Sequence, residues 1–319
     1  MRVFLVRKKL ALLLASFVMC ASAQAQDAYP SRTITVVVGY STGSGPDAIA
    51  RHFAEELRKK SGRAVVVDNR PGALTNIAAQ RVARSQPDGY TIFITPGNSS
   101  WAINSAIFKE LPFNPLEDFT PVTSLVTTPF AFAVAEGSPI NSLAELTTVL
   151  KAKEGRAKYA FPNSISLASA ELYKKLMGVE AQGVAYKSIA DSHLALASGE
   201  VDFFVTDLTF RKGKLLAMTV AKPSAVAPGV PSAKEAGLHD FDLFSWFGMW
   251  LPKNAPKDVV DKLTAWMDES VLTEETRKKF APMGFEPWPG VRGEALRSFT
   301  KAEMAKWKTV AEIAKIPPP

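Results

Sequence analysis

VVVDNRPGALTNIAAQRVARSQPDGYTIFIT, residues 65–95, is the stretch that decides the fold. An apolar, β-branched run (65–67) meets a turn at Asn69-Arg70-Pro71-Gly72, and a helical pattern follows over 74–85. A second turn at Pro87-Asp88-Gly89 then leads into another apolar run at 90–95. Proline presets φ and glycine reaches the left-handed region, so each turn has a backbone reason to break the elements beside it. Strand, helix and strand joined by short turns form the unit of a parallel sheet. No catalytic group stands out within it. The stretch is a framework that presents loop backbone and helix ends at one edge of a sheet.

Working outward, residues 33–39 (TITVVVG) read as a strand buried on both faces, because the run is almost wholly apolar and does not alternate. Residues 40–46 form a loop, and 47–60 an amphipathic helix with Ile49, Phe53 and Leu57 on one side. The third strand ends in a loop at 96–100. A second series follows: a strand at 129–135, then a helix at 142–152 with Ser142 as N-cap and Glu145 in the capping-box position. A short strand at 158–161, helices at 166–177 and 190–197, and strands at 201–205 and 215–220 come next. Residues 244–251 read as a strand returning toward the first domain, and helices at 257–270, 274–280 and 293–314 close the chain. The C-terminal helices are expected to pack on the N-terminal domain. In such α/β folds ligands bind beyond the carboxyl ends of strands. The loops at 39–47, 95–100, 161–166 and 205–209 are therefore the candidates. All are rich in Gly, Ser, Thr and Asn, and helix starts there would offer N–H groups to a carboxylate.

The first residues read as an export signal. Arg2, Arg7, Lys8 and Lys9 precede an apolar stretch at 10–21 that is short for a bilayer span, and Ala23-Gln24-Ala25 is a cleavage pattern. Cleavage near Ala25 places the mature protein in the periplasm. Removing those four positive charges lowers the net charge from +7 to +3. No basic stripe with interleaved aromatics is present, so nucleic acid is not an expected partner. The single cysteine, Cys20, lies inside the signal, which leaves the mature chain without disulfide, thiol nucleophile or cysteine metal site. No His/Asp/Glu grouping has metal-ligand spacing. Neither cofactor nor metal is expected.

Two motifs compete for a chemical reading. Gly39-Tyr40-Ser41-Thr42-Gly43 matches the nucleophile elbow of hydrolases, with Ser41 as nucleophile and His193 or His239 as base. It follows the first strand, earlier than that fold places it, and none of the three histidines has a motif around it. Gly43-Ser44-Gly45-Pro46-Asp47-Ala48, with Asp68 further on, matches a dinucleotide fingerprint, but Tyr40 to Thr42 separate its first glycine from the strand. Asp47 suits the first turn of a helix better than acid–base work. Trp246, Phe247 and Trp250 suit a packed junction between domains, with an aromatic ligand wall as the alternative.

A further set of short motifs runs through the chain in order. Among them are Tyr29-Pro30-Ser31-Arg32, Asp68-Asn69-Arg70-Pro71-Gly72, Pro87-Asp88-Gly89-Tyr90, Ile103-Asn104, Asp118-Phe119-Thr120-Pro121, Tyr186-Lys187, Gly199-Glu200-Val201-Asp202 and Ser245-Trp246-Phe247-Gly248. With these the chain resembles the solute receptors of tripartite tricarboxylate transporters, the Bug receptors, over nearly all of its mature length. The resemblance implies a type II periplasmic-binding-protein fold: two α/β domains joined by crossing strands, with a ligand cleft between them. Domain 1 would comprise residues 26–127 plus 248–319, and domain 2 residues 128–247. It implies a monomeric receptor, not an enzyme, that captures a small carboxylate for membrane permease subunits or a sensor protein. By matching position, the first-domain site would be Tyr40, Ser41, Thr42, Gly43, Ser44, Gly45, Asp47, Asn76, Thr95, Asn98 and Ser99. The second-domain site would be Phe161, Asn163, Ser164, Ser166, Ser188, Thr206 and Asp207. Asn76 could instead brace a loop. The first loop, the 161–166 loop, Ser188 and the shortened segment after Asp207 depart from the family pattern where the ligand should sit. Tyr40 and Phe161 add aromatic surface, so an aromatic carboxylate stands beside an aliphatic dicarboxylate as the expected ligand.

Overall fold

The computed structural model describes residues 29–208, 213–224 and 226–316. The export-signal reading at 1–25 lies outside the described residues.

The apolar runs become strands of two sheets. β1 (Ile34–Val38) pairs in parallel with β2 (Val65–Asn69) on one side and β3 (Thr91–Pro96) on the other. β4 (Phe119–Pro129), β10 (Phe244–Pro252) and β11 (Glu286–Pro287) complete a six-stranded sheet in the order β11-β4-β10-β3-β1-β2. β10 runs antiparallel to both β3 and β4. The second sheet holds β5 (Ala131–Val134), β6 (Ala157–Phe161), β7 (Ala181–Ala185), β8 (Phe203–Thr206) and β9 (Lys214–Met218), in the order β7-β6-β8-β5-β9. β6 is parallel to β7 and β8, whereas β5 is antiparallel to β8 and β9. Parallel pairing thus holds where a helix carries the chain back. It fails at β5, which enters directly from β4 with only Phe130 between them.

Helices cover the sheets: α1 (Gly45–Ser61), α2 (Asn76–Ala83), α3 (Asn104–Ile107), α4 (Leu143–Ala152), α5 (Ser164–Met177), α6 (Ile189–Ser198), α7 (Lys257–Val271), α8 (Glu274–Phe280) and α9 (Gly293–Ala314). Two expectations are corrected. The helix read at 74–85 begins only at Asn76, because Ala73, Leu74 and Thr75 all take positive φ (45°, 50° and 81°). The segment read as a loop at 96–100 instead enters a π-helical turn, Asn98–Ile103, that runs into α3.

The first lobe packs Val36, Val38, Phe53, Ile94, Val126 and Met249 into one core. A second cluster on the same sheet holds Trp101, Trp246 and Trp250, with ring centroids 5.4–5.9 Å apart. Trp246 and Trp250 therefore serve the first-lobe core rather than a ligand wall. The second-lobe core centres on Phe132, Tyr159, Tyr173 and Phe203. It also takes in Ala102 and Ile103 from the first lobe, and Trp307, Val310 and Ala314 from α9. The last helix therefore packs on both lobes, not on the first alone. Where the two crossing segments pass between lobes, buried Thr219 ties them together. Its Oγ1 accepts from the Phe130 N–H (2.9 Å) and lies 2.6 Å from the Leu243 carbonyl, to which it donates.

Candidate functional site

The loop after β1 is shaped by its own side chains. Gly39 is held so close to Thr75 that a Cβ there would sit 2.7 Å from the Thr75 side chain. Ser44 caps α1, accepting from the Asp47 N–H (3.3 Å) and donating to the Ser41 carbonyl (2.7 Å). Asp47 is buried and accepts from the Gly43 N–H (2.8 Å), Arg51 (2.9 Å) and Asn69 (2.8 Å). Burial works against its charge, but Arg51, Gly43 and Asn69 outweigh burial and hold its carboxyl below the ordinary value. The α1 N-terminus is therefore occupied by Ser44 and Asp47, which brace the loop rather than face the cleft. Thr42 reaches Asn69 (3.2 Å), Gly43 takes a positive φ of 84°, and Gly45 is the first residue of α1. Tyr40 of this loop lies near Ser99 and the second-lobe Asp207. Burial pushes its phenol well up, a hydrogen bond with Ser99 acts the other way, and the Asp207 carboxylate raises it again. The phenol stays protonated at any physiological pH and can donate.

Two further first-lobe groups are held in polar chains. Ser100 Oγ bonds both Thr75 Oγ1 (2.8 Å) and Thr95 Oγ1 (2.6 Å), so Thr95 is spent on a buried hydroxyl chain. Asn104 donates to the Leu74 carbonyl (2.6 Å) and to Asn76 Oδ1 (2.9 Å). Asn76 thus braces the strained turn at 73–75. Asn98 accepts from Ser245 (2.7 Å), and its buried amide nitrogen has no partner among the described residues.

In the second lobe Asn163 caps α5 by accepting from the Ser166 N–H (3.0 Å). The start of this helix is two residues earlier than the sequence pattern indicates. Ser164 donates across the lobes to Asn104 Oδ1 (2.7 Å). Ser166 is fully buried on α5. Ser188 caps α6, bonding the Asp191 N–H (3.1 Å) and carboxylate (2.8 Å). Thr206 bonds His193 Nε2 at 3.1 Å. Phe161 packs against Tyr159 (6.0 Å) at the edge of the second-lobe core.

The four loops that the strand order singles out do converge. A small cavity of about 20 Å³ lies between the lobes. Tyr40 and Pro46, Pro96 and Ser99, Asn163 and Ile165, and Asp207 line it, one set from each loop. Thr128, Phe130, Ser245, Phe247 and the ring of Phe285 close it from the crossing strands and beyond. Outside it, a cleft of about 380 Å³ opens to solvent between Ser41, Pro71, Gly72, Leu74 and Thr75 on one lobe and Pro162, Ser164 and Lys187 on the other. Tyr40 and Asn163, from opposite lobes, line both spaces.

Of the residues expected at the site, the structure brings Tyr40, Ser41, Ser99, Asn163, Ser164 and Asp207 to these walls. It places Thr42, Gly43, Ser44, Gly45, Asp47, Asn76, Thr95, Asn98, Phe161, Ser166, Ser188 and Thr206 behind or beside them, where most act as caps and braces. Phe161 in particular turns its ring into the core instead of adding aromatic surface to the cleft. Lys187, Leu74, Thr128, Phe130, Ser245 and Asn104 are not legible as site residues, although Tyr186-Lys187, Ile103-Asn104 and Ser245 lie in the motifs of the resemblance. Ser41 is exposed at the outer cleft, whereas His193, one of the two bases offered for a serine hydrolase, is buried with its Nε2 on Thr206. Among the described residues no group of three or more His, Cys, Asp or Glu could hold a metal ion.

Comparison with known proteins bears on this geometry. The family model described as tripartite tricarboxylate transporter family receptor matches residues 49–316. A curated relative from Bordetella bronchiseptica, a UPF0065 protein, is 32% identical over 96% of this chain and 93% of its own. The solved structure of R. palustris Rpa4515 with adipate is similar at a TM-score of 0.86 and 30% identity, covering 91% of this chain and all of its own. MatC from Rhodopseudomonas palustris, solved with bound malate, is similar at 0.82 and 29%, covering 88% of this chain and 99% of its own.

Proposed function

Since this chain belongs to the tripartite tricarboxylate transporter receptor family, whose members are periplasmic solute-binding receptors rather than enzymes, we propose that it captures a small carboxylate between its two lobes. The observation that carries this is the pair Tyr40 and Asn163, which come from opposite lobes and line both the inner cavity and the outer cleft. A ligand touching both favours the state in which the lobes are together, through contacts that the separated lobes cannot make. The inner cavity as it stands has room for about one water-sized group. A carboxylate therefore enters with the lobes apart and is enclosed as they close.

The donors available are the Tyr40 and Ser99 hydroxyls and the Asn163 amide, the Ser245 proton being given to Asn98. These neutral groups can solvate an anion without an ion pair buried at high desolvation cost. Among the described residues lining the cavity, Asp207 is the only carboxylate. Two of the structural relatives were solved with the diacids adipate and malate, which supports the same class here. Delivery of the bound carboxylate to membrane permease subunits, or its report to a sensor, follows from the family role. The periplasm is then the working compartment, and no helix of the described residues is long and apolar enough to cross a membrane.

Calorimetric titration against a panel of mono-, di- and tricarboxylates tests the reading. We expect one class to bind in the micromolar range or tighter, and Tyr40→Phe and Asn163→Ala each to weaken it by about tenfold, roughly the 1.4 kcal/mol of a hydrogen bond to a charged group. If no carboxylate binds, or if both variants bind as well as the parent, the proposed site is wrong.

A further inference from the structure

We propose that Lys187 selects the ligand by its far end, so that the preferred solute is a diacid with an apolar spacer. This rests on the carboxylate-receptor reading and adds to it the residue that reads the second acid. The outer cleft is walled by Pro71, Leu74, Pro162 and Tyr40, together with Gly39 and the exposed Gly72. Among the described residues that line it, Lys187 is the only charged one. It is exposed and forms no ion pair with a described residue. Its position is well defined, because the preceding residue is held on both sides. The Tyr186 N–H donates to the Phe161 carbonyl (3.1 Å), and the Tyr186 hydroxyl donates to Glu200 (2.8 Å). The following residue, Ser188, caps α6.

The size of the two spaces makes the assignment. The inner cavity takes a water-sized group, and the cleft beyond it is nearly twenty times larger. A ligand whose first carboxylate sits among Tyr40, Ser99 and Asn163 must therefore lay the rest of its length along the outer cleft. Proline, leucine and tyrosine carbon favour methylene or aryl there over hydroxylated carbon. On the second-lobe wall of that cleft Lys187 offers an ammonium on a flexible four-carbon stem, which can follow the end group of solutes of more than one length. A second carboxylate at that point gains a charge partner. An uncharged end group gains nothing from Lys187.

The test pairs adipate with its monomethyl ester, which keeps the spacer and removes one charge. Both are titrated by calorimetry into the parent protein, Lys187→Met and Lys187→Arg. The parent should prefer adipate by about fivefold, the yield of a solvent-accessible ion pair. The preference should narrow as salt is raised from low to physiological ionic strength. Lys187→Met should bring the two affinities together with no salt dependence left, and Lys187→Arg should restore the preference. Equal binding of the two compounds by the parent overturns the inference, as does an undiminished preference in Lys187→Met. Binding of some other carboxylate but of neither probe overturns it too, and leaves the receptor reading standing. Failure of the whole carboxylate panel overturns the receptor reading, and the role of Lys187 falls with it.

Discussion

One amide side chain, Asn104, holds three parts of the site. It donates to the Leu74 carbonyl and to Asn76, and it accepts from Ser164 of the other lobe. Replacing it with alanine takes a partner from the Leu74 carbonyl, the Asn76 amide oxygen and the Ser164 hydroxyl, at a cost of about 1–3 kcal/mol. Asn104→Ala should therefore lower the melting temperature by several degrees and also weaken carboxylate binding. Ser164→Ala, which removes only the cross-lobe bond, should weaken binding with a smaller loss of stability. Melting curves and titrations of the two variants check this, and equal effects on stability would mean that Asn104 does not brace the turn. His52 gives a second expectation at this scale. It is buried between Phe53 and Phe280 with its Nε2 on Thr276 (2.7 Å), and burial, helped by Lys279, lowers its pKa to about 4. The unfolded chain titrates near 6.5, so between these values the unfolded state binds a proton that the folded state refuses. The stabilisation from neutral His52 is complete above about pH 6.5 and is lost as pH falls toward 4. Denaturation midpoints at pH 7.5 and pH 5 should differ less in His52→Gln than in the parent, whatever that variant's absolute stability.

Among the elements, the turn after β2 is the strained one. Gly72 and the three residues after it all have positive φ. A left-handed conformation costs an L-residue about 1–2 kcal/mol, and the turn persists because Asn104 and Ser100 clamp it against the cleft. Ala73 is exposed there, so Ala73→Gly should leave stability unchanged or raise it by up to ~1 kcal/mol, after the extra freedom of the unfolded chain is counted. Ala73→Val should lower it by more than ~1 kcal/mol, since a branched Cβ fits the left-handed region poorly. Thermal or urea denaturation separates the two, and similar losses in both would mean the turn is not strained. This turn also marks the limit of what the sequence tells. The buried strands β1 and β3 are legible because burial on both faces leaves an unbroken apolar run. β7 escapes a sequence reading because Ala181–Ala185 lies at a sheet edge, largely exposed and carrying glycine. β4 escapes it because its threonines, serine and prolines hide a strand buried by tertiary contacts. The loops of the site can be read from strand order, but not which hydroxyl faces inward. Thr95 turns to Ser100 and Phe161 turns to Tyr159, choices made by neighbours distant in the chain or by packing that no local pattern records.

At the scale of the whole molecule, closure has to pass through two crossing segments. Thr219 sits where they meet, buried, with its hydroxyl between Phe130 and Leu243. Thr219→Val keeps the shape and removes the hydroxyl. We expect a loss of about 1–3 kcal/mol and a looser relation between the lobes. Small-angle scattering with and without ligand should then show a larger change in radius of gyration than in the parent. An unchanged scattering difference would mean the hinge is set elsewhere.

The path of α9 across both lobes reaches beyond the motion. Its first turns carry Leu296 and Phe299 to the tryptophan cluster of one lobe, and its last turns carry Trp307, Val310 and Ala314 into the core of the other. The middle of the chain is therefore a poor unit for exchange between relatives. A second lobe transplanted alone would arrive with a core shaped for another protein's final helix. New specificities in this scaffold are then expected to arise by substitution along the cleft, with recombination tolerated only when the last helix travels with the lobe it completes.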